Sequence, residues 1–421
     1  MSPNHPDRTG SAPLPLEGIR VLELGSFIAA PFASRIFGDF GADVIKVEKP
    51  QGGDELRDWR KSRGETSMLF RTLGRNKRSV VLDLRTEEGQ EAVRRLARSC
   101  DVVIENFRPG TLERWGIGPD ALKAQNPDLI LVRISGYGQT GPYRERAGFA
   151  SAAEAFGGFR YITGERDRPA VRPAASMGDT VAGLYAAIGA LILLLQRERA
   201  AVTGAEFSQG ENLVDIGLYE GIFSLLESLV PDYDAYGDVR MRSGGAVPGV
   251  VPMGAYPTGD GLEIVIGGNS GKLFSRLMRL AGREDLADDP ALQASEARGA
   301  REAELNEIIA GWAASMPLKE VQARLDEAGI PAGPVYDAPS IVEDPHYIAR
   351  GMIERHPVKV EEEYEEVRFP GVVPVLPGRE GRTRWIGPEL GEHNREVLEE
   401  AGYSPEEIEA LTGSTSDAAK G

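Results

Sequence analysis

The stretch that decides the fold is IRVLELGSFIAAPFASRIFGDFGADVIKVE, which covers residues 19–48. Residues 19–24 and 43–48 are short runs rich in isoleucine, valine or leucine, a pattern typical of β-strands. The residues between them predict a helix over 30–41, because apolar side chains recur at helical spacing, at Phe32, Ile36, Phe37 and Phe40. A strand–helix–strand unit this compact predicts two parallel strands joined by a right-handed crossover.

The same alternation of strands and helices continues after residue 48. We predict further strands at 79–84, 101–106 and 129–135, with helices after residue 86 and over 119–125. Strands that alternate with helices are typical of α/β proteins. The predicted fold class is therefore a Rossmann-like, doubly wound parallel sheet in a large domain, accompanied by a smaller α+β domain.

The rest of the chain sets the expected domain boundaries. An apolar helix is predicted from about residue 176, a second long helix over 211–230, and a β-hairpin over 254–267. We expect the N-terminal part of the large Rossmann-like, ligand-binding domain to occupy 1–230 and the small α+β domain 231–335. Residues 336–421 are expected to form an extended linker and C-terminal helices that return to the large domain.

Composition excludes several classes of function. The protein has 421 residues and a formal net charge of −17, and such a surface repels nucleic acid. A single cysteine, Cys100, excludes an internal disulfide, and the four histidines lack the spacing of metal ligands. The first residues contain no apolar signal core, and the apolar run 181–195 is short for a membrane span. We therefore expect a cytoplasmic protein without a metal, a membrane or a nucleic-acid partner.

The turn after the first strand argues against a dinucleotide site. It contains bulky Phe27 and Ile28 where a pyrophosphate would need closely approaching glycines. Arginines and other polar residues do follow the predicted strands, at 75–79, 82–85 and 105–110. These segments could bind phosphates at the carboxyl ends of the strands, or could be solvated and paired with neighbouring acids.

Asp179 lies at the start of the predicted apolar helix and has two interpretations. A carboxylate at a helix N-terminus is stabilised by free backbone amides and by the helix dipole. A carboxylate can also act as a nucleophile toward an activated acyl group. The pattern alone favours the structural interpretation.

Several strings, in order along nearly the whole chain, resemble the class III CoA-transferases, also called the CaiB/BaiF family. They are PLEGIRVL (15–22), FGADVIKVEKP (40–50), NKRS (76–79), ENFRPG (105–110), ISGYG (134–138), AGIPAGPV (328–335), DPH (344–346) and LGEH (390–393). The resemblance implies a two-domain chain and a homodimer in which two chains interlock like rings.

Asp179 occupies the position of this family's catalytic aspartate. The resemblance implies that its carboxylate attacks a donor thioester to form a mixed anhydride, and that the CoA thiolate returns to give an aspartyl-CoA thioester. The acceptor carboxylate then attacks that thioester. Acyl-CoA is a substrate in this chemistry, and no permanently bound cofactor is expected.

The resemblance also assigns binding residues. Those expected to contact CoA are Ile28, Ala29, Lys49, Leu82, Asp83, Leu84, Arg85, Asn106, Phe107, Arg108, Arg114, Phe149 and Ala150. Gly244 and Gly245 resemble the family's active-site loop. Arg172 lies in a string that resembles the branch using succinyl-CoA and dicarboxylates. Formyl-CoA transferases have glutamine at position 28 and glutamate at position 150, so the residues present here argue against oxalate and formate.

Two alternatives to CoA transfer stay open. The racemase branch of the family moves an α-proton with a histidine where this chain has Phe149, and a phenyl ring cannot exchange protons. Residues 266–270 also lack the glutamate of that branch. The second alternative is a non-catalytic protein that binds acyl-CoA.

Overall fold

The computed structural model describes residues 13–204, 207, 212–246, 249–361 and 363–412. The chain divides into two compact units, of which the second contains residues 160–172 and 228–344 and the first contains the rest. Residues 160–172 join the second unit because they bond to it, for example through the Gly244 amide, which donates to the Gly164 carbonyl at 3.0 Å. The domain boundaries expected from the sequence, at 230 and 335, did not assign residues 160–172 to the second unit.

The strands of the described residues are β1 (Arg20–Glu23), β2 (Asp43–Glu48), β3 (Ser62–Arg63), β4 (Thr66–Ser67), β5 (Lys77–Val81), β6 (Val102–Glu105), β7 (Ile130–Ser135), β8 (Leu213–Gly217), β9 (Met253–Pro257), β10 (Glu263–Gly267), β11 (Ala332–Pro334), β12 (Ile353–Val360) and β13 (Glu363–Pro370). The helices are α1 (Ala29–Asp39), α2 (Met68–Leu73), α3 (Glu87–Ala97), α4 (Thr111–Arg114), α5 (Pro119–Lys123), α6 (Ala150–Phe156), α7 (Met177–Thr203), α8 (Leu218–Phe223), α9 (Leu229–Tyr236), α10 (Gly271–Leu280), α11 (Glu284–Ala287), α12 (Ser295–Gly299), α13 (Glu302–Ala314), α14 (Leu318–Glu327), α15 (Ala338–Glu343), α16 (Pro345–Ala349), α17 (Asn394–Glu400) and α18 (Pro405–Thr412). Short 3₁₀ turns cover Glu55–Asp58 and Pro290–Gln293.

The first unit contains a six-stranded sheet in the order β5-β2-β1-β6-β7-β8. Every neighbouring pair in it is parallel. The chain moves outward from β1 through β2 and β5 on one side and through β6, β7 and β8 on the other. This arrangement confirms the predicted doubly wound fold, and it places the switch point between β1 and β6, where such sheets bind ligands.

Apolar side chains cover both faces of this sheet. On one face, α1 and α7 contribute small side chains that let the two helices approach closely. On the other face, α3, α5, α17 and α18 supply the apolar residues. Cys100 is buried in this second layer, and burial raises the pKa of its thiol to about 12, so it acts as a core residue rather than a nucleophile.

Helix α7 is long and apolar enough to cross a membrane by length and composition alone, with a mean hydropathy of 1.8 over its most apolar window and 39% of that window buried. One face of α7, which includes Ala182, Ala186 and Ala190, packs in the core against α1 and the sheet. The other face leaves apolar side chains exposed, namely Leu184, Tyr185, Ile188, Ile192 and Leu195.

The predicted helix over 211–230 is wrong. Residues 213–217 form β8, an edge strand that pairs in parallel with β7, and the chain then turns into the short helices α8 and α9. The change of direction occurs at Gly217, whose amide donates to the Glu220 side chain at 2.7 Å and so begins α8. The predicted hairpin over 254–267 is confirmed as the antiparallel pair β9–β10.

The last described residues return to the first unit and cover the edge strand β5. The Val81 amide donates to Asn394 Oδ1 at 2.7 Å, and the His393 amide donates to the Ser79 carbonyl at 3.0 Å. Backbone groups of β5 that face away from β2 are therefore satisfied by a segment far along the chain.

The second unit is built around a three-stranded antiparallel sheet in the order β11-β10-β9. Helices α10, α13 and α14 pack on it, with Ile264, Phe274 and Ile309 fully buried at the centre. This unit matches the predicted α+β class and has a hydrophobic core of its own.

Candidate active site

A cavity of about 250 Å³ lies at the carboxyl ends of β1, β2, β5 and β6 in the first unit. It is lined by Leu24, Gly25, Ser26, Val47, Glu48, Lys49, Gly53, Asp54, Glu55, Leu82, Asp83, Leu84, Arg85, Phe107 and Trp115. The position agrees with the general rule for doubly wound sheets. Six of the residues predicted to contact CoA line it, namely Lys49, Leu82, Asp83, Leu84, Arg85 and Phe107.

Asn106 shapes this cavity through the backbone rather than by lining it. Its Oδ1 accepts from the Ser26 amide at 2.9 Å, and its Nδ2 donates to the Ser26 carbonyl at 2.7 Å. The side chain thus fixes the turn after β1 from both sides. Gly25 needs to be glycine here, because a methyl group on it would lie 2.6 Å from Asn106 Oδ1.

The two cations on the cavity wall are both paired with acids. Lys49 pairs with Glu55, and Arg85 Nε lies 3.0 Å from Asp83 Oδ1. The hydrogen bond from Arg85 lowers the pKa of Asp83. Phosphates that enter this cavity would therefore compete with carboxylates for Lys49 and Arg85.

An aromatic pair forms another wall of the cavity. The Phe107 and Trp115 rings meet edge to face with their centroids 5.1 Å apart. Sequence reasoning found Phe107 and missed Trp115. A tryptophan eight positions later, after the short helix α4, was the available signal, because the turn of that helix brings the two rings together.

Glu48, the acid that ends β2, is committed to structural bonds. Arg57 approaches it with Nε and Nη2, both at 2.7 Å, and Ser79 Oγ donates to it at 2.6 Å. Burial would raise the pKa of Glu48, but the bonds from Arg57 lower it overall. In a dinucleotide fold the equivalent acid binds a ribose, whereas both oxygens of this carboxylate already accept from Arg57 or Ser79.

Other residues predicted to contact CoA lie outside the cavity lining. Ile28 and Ala29 are buried at the start of α1. Arg108 and Arg114 are exposed, and Arg114 Nη2 donates to Thr111 Oγ1 at 2.8 Å.

Asp179 lies in the first turn of α7 and is half-buried. The adjoining turn packs tightly on α6, because a methyl group on Gly178 would lie 3.0 Å from the Ala150 carbonyl oxygen. The Gly178 amide donates to Oε1 of the fully buried Glu154 at 3.4 Å. The structure therefore brings Ala150 beside the Gly178–Asp179 turn. Phe149, just before α6, is 72% exposed.

The remaining predicted substrate residues belong to the second unit. Gly244 has a φ of +65°, and a methyl group on it would lie 2.8 Å from Glu165 Oε2, so this position favours glycine. Gly244 and Gly245 line a cavity of about 810 Å³ in that unit, together with Tyr256 and Asn306. Arg172 is exposed and does not line it.

Among the residues that the structure describes, no cluster of three or more histidine, cysteine, aspartate or glutamate side chains could hold a metal ion.

Comparison with known proteins identifies the family. A model of CoA-transferase family III matches residues 16–394. The succinyl-CoA–D-citramalate CoA-transferase of Chloroflexus aurantiacus is 47% identical over 388 residues, which are 92% of this chain and 94% of that protein. The succinyl-CoA–L-malate CoA-transferase alpha subunit of Chloroflexus aurantiacus is 39% identical over 408 residues, 96% of this chain and 92% of that subunit. The crystal structure of a CaiB/BaiF family protein from Brucella suis superposes with a TM-score of 0.80 at 32% identity, covering 93% of this chain and all of that one. These findings confirm the resemblance seen in the sequence, and the chain belongs to CoA-transferase family III.

Proposed function

We propose that this enzyme transfers CoA from succinyl-CoA to a dicarboxylate acceptor through covalent intermediates on Asp179. The observation that carries the proposal is the half-buried carboxylate of Asp179 in the first turn of a 27-residue helix. The helix dipole stabilises the ionised form of such a carboxylate, and the ionised form is the nucleophile. The choice of substrates is supported by the names of the two Chloroflexus relatives.

The proposed reaction needs only acyl transfers. An Asp179 oxygen attacks the thioester carbon of succinyl-CoA, the C–S bond breaks, and a mixed anhydride and CoA thiolate result. The thiolate attacks the aspartyl carbonyl, which releases succinate and leaves an aspartyl-CoA thioester. The acceptor carboxylate attacks this thioester and expels the thiolate again. The thiolate then attacks the acceptor acyl carbon, and the Asp179 carboxylate is regenerated with the product acyl-CoA.

The cavity at the carboxyl ends of the strands is proposed to take the CoA portion. Lys49 and Arg85 offer cations for phosphates, and the Phe107–Trp115 pair offers an apolar face for an adenine ring. Ile28, Ala29, Asn106, Arg108, Arg114, Phe149 and Ala150 stay predicted CoA contacts. Gly244, Gly245 and Arg172 stay predicted substrate residues.

The nucleophile is tested by Asp179→Ala. We expect transfer to fall by more than about 1,000-fold while the dissociation constant for CoA changes little, because the side chain acts only in the chemical steps. Asp120→Ala is the matched control, since Asp120 is also an acid in the first turn of a helix of the same unit. Hydroxylamine trapping during turnover should modify Asp179. Retained transfer in Asp179→Ala would overturn the proposal, and deuterium exchange at the α-carbon of an acyl-CoA would support the racemase alternative.

The acceptor is tested by a screen of succinyl-, acetyl- and formyl-CoA against mono- and dicarboxylates. We expect succinyl-CoA with a dicarboxylate to be the best pair, and Arg172→Ala to raise KM for the acceptor more than for the donor. Arg166→Ala, an exposed arginine of the same segment, is the control. Equal activity of Arg172→Ala and wild type would remove Arg172 from the substrate residues.

We also propose that the protein is a cytoplasmic, interlocked homodimer. The exposed apolar side chains of α7, with Ile192 and Leu195 both 59% exposed, support a second copy as their cover. Light scattering should give the mass of a dimer, and Ile192→Asp, which is present while the chains fold together, should reduce the share of dimer that forms. Tyr236→Asp, at an exposed position of the second unit, is the control. A monomeric wild type, or one that sediments with membranes, would contradict this proposal.

A further inference from the structure

The turn between β1 and α1 has a backbone conformation that its sequence disfavours. Phe27 has a φ of +61°, in the left-handed region that side chains other than glycine rarely occupy. This turn contributes Gly25 and Ser26 to the cavity proposed for CoA. Something outside the turn must therefore hold Phe27 in this conformation when the cavity is formed.

The Phe27 amide is held by Asp54. It donates to Asp54 Oδ1 at 3.0 Å, and the same oxygen accepts from the Leu56 amide at 2.9 Å and so caps the 3₁₀ turn Glu55–Asp58. One carboxylate oxygen thus ties the turn after β1 to the segment after β2. Asp54 is almost fully buried, so water does not compete for these bonds.

Asp54 is held in turn by buried lysine and glutamate side chains. Lys46 Nζ lies 2.7 Å from Asp54 Oδ2 and 2.6 Å from Glu23 Oε1, and it donates to the Gly25 carbonyl at 3.0 Å. Lys77 Nζ lies 2.7 Å from Glu23 Oε2 and donates to the Pro31 carbonyl at 2.8 Å. Burial would lower the pKa of Lys46, but Asp54, Glu23 and Glu48 raise it, so Lys46 stays charged. The network bonds to the chain before, within and after the turn.

We propose that Asp54, oriented by Lys46, is a positioning residue that holds Phe27 in the left-handed conformation and so preforms the turn against which a CoA thioester binds. This inference rests on the proposed CoA site. Preformed sites bind more tightly because the ligand does not pay to order them.

The inference is tested by the dissociation constant for CoA in four variants. Asp54→Ala should weaken binding about tenfold, because Phe27 then leaves the left-handed region in the free protein. Asp54→Asn, which keeps an oxygen for the Phe27 amide, should stay within about threefold of wild type. In a Phe27→Gly background, Asp54→Ala should weaken CoA binding much less than it does in the wild-type background, because glycine accepts a positive φ without strain. Asp289→Ala, which removes the matching cap of the other 3₁₀ turn, Pro290–Gln293, should bind CoA like wild type.

Hydrogen exchange in the wild-type protein gives a measurement that no folding defect can obscure. The peptide over 25–29 should be protected before CoA is added. Protection of this peptide that appears only with CoA would overturn the inference. So would an equal effect of Asp54→Ala on the dissociation constant for CoA in the wild-type and Phe27→Gly backgrounds. If the wild-type protein does not bind CoA, the proposed function is contradicted. If Asp179→Ala loses transfer but still binds CoA, the proposed function is supported whatever the result for Asp54.

Discussion

At the scale of single residues, the pair Lys49–Glu55 on the cavity wall sets how strongly phosphates can bind. Both side chains are more than 40% exposed, so their mutual attraction is weak in water. Glu55→Gln should tighten CoA binding about two- to fivefold by freeing Lys49, and Lys49→Met should weaken it by a similar factor. Titration calorimetry at two salt concentrations measures both changes. Glu399→Gln, which breaks the exposed pair with Arg395, should change nothing.

The buried Glu23 makes stability depend on acid. Burial would raise the pKa of Glu23, but the charges and hydrogen bonds of Lys46 and Lys77 lower it from an ordinary 4.5 to about 2. As the pH falls below 4.5, the unfolded chain takes up this proton before the folded one does, so the free energy of unfolding decreases. The contribution is complete above pH 4.5, and about 3 kcal/mol is lost on the way to pH 2.

Urea unfolding between pH 5 and 3 checks this expectation. Glu23→Gln should be less stable at neutral pH, because Lys46 and Lys77 lose their shared carboxylate, and its stability should fall less steeply with acid. If the free energy of unfolding falls with decreasing pH at the same slope in the variant and in wild type, other carboxylates govern acid unfolding.

The exposed part of the site was predictable at this scale and the buried part was not. Lys49, Arg85 and Phe107 follow strands of the sheet and were assigned to CoA by the family resemblance, and all three line the cavity. Glu23 and Lys77 are 54 positions apart. Only the parallel pairing of β1, β2 and β5 brings these two side chains together, and no local sequence pattern predicts that contact.

At the scale of elements, the close packing of α7 on α1 depends on Gly183. A methyl group there would lie 2.8 Å from the Ala29 carbonyl oxygen, and that backbone has little freedom to move at the start of α1. Gly183→Ala should therefore lower the free energy of unfolding by about 1–3 kcal/mol. It should also weaken CoA binding by shifting the turn before α1.

Gly311→Ala is the matched control for this change. Gly311 lies inside α13 with no atom within 4 Å of an added methyl group, so alanine should raise stability by up to about 1 kcal/mol through helix propensity. Thermal unfolding of both variants measures the contrast. Similar effects of the two substitutions would show that the helix contact tolerates a side chain.

The missed strand β8 shows why some elements were not predictable. Leu213, Val214 and Ile216 form a short apolar run, and Leu218 and Ile222 extend it at helical spacing. Such a run fits a buried strand and a helix equally well. The pairing of β8 with β7 decides between them, and that contact joins segments about 80 positions apart.

At the scale of the whole molecule, the two units have separate cores, so unfolding should not be all-or-none. Calorimetry should give an enthalpy that exceeds the van't Hoff value. Ile264→Ala, at a fully buried position of the second unit, should destabilise only one of the resolved transitions, by about 2–5 kcal/mol. The comparable substitution in the first unit, Ile104→Ala, should lower the midpoint temperature of the other transition. A single sharp transition shifted by both variants would contradict this expectation.

The cover that residues 391–394 place on β5 has a consequence for synthesis in the cell. Asn394 is added 313 residues after Val81, to which it bonds. At the usual pace of a ribosome, roughly 15 to 60 s pass between these two events. During that interval the edge strand β5 of the nascent chain has uncovered backbone N–H and C=O groups, with which other polypeptides can pair. Any slowing of translation between these positions lengthens the vulnerable period, so the yield of soluble protein should be sensitive to codon choice there.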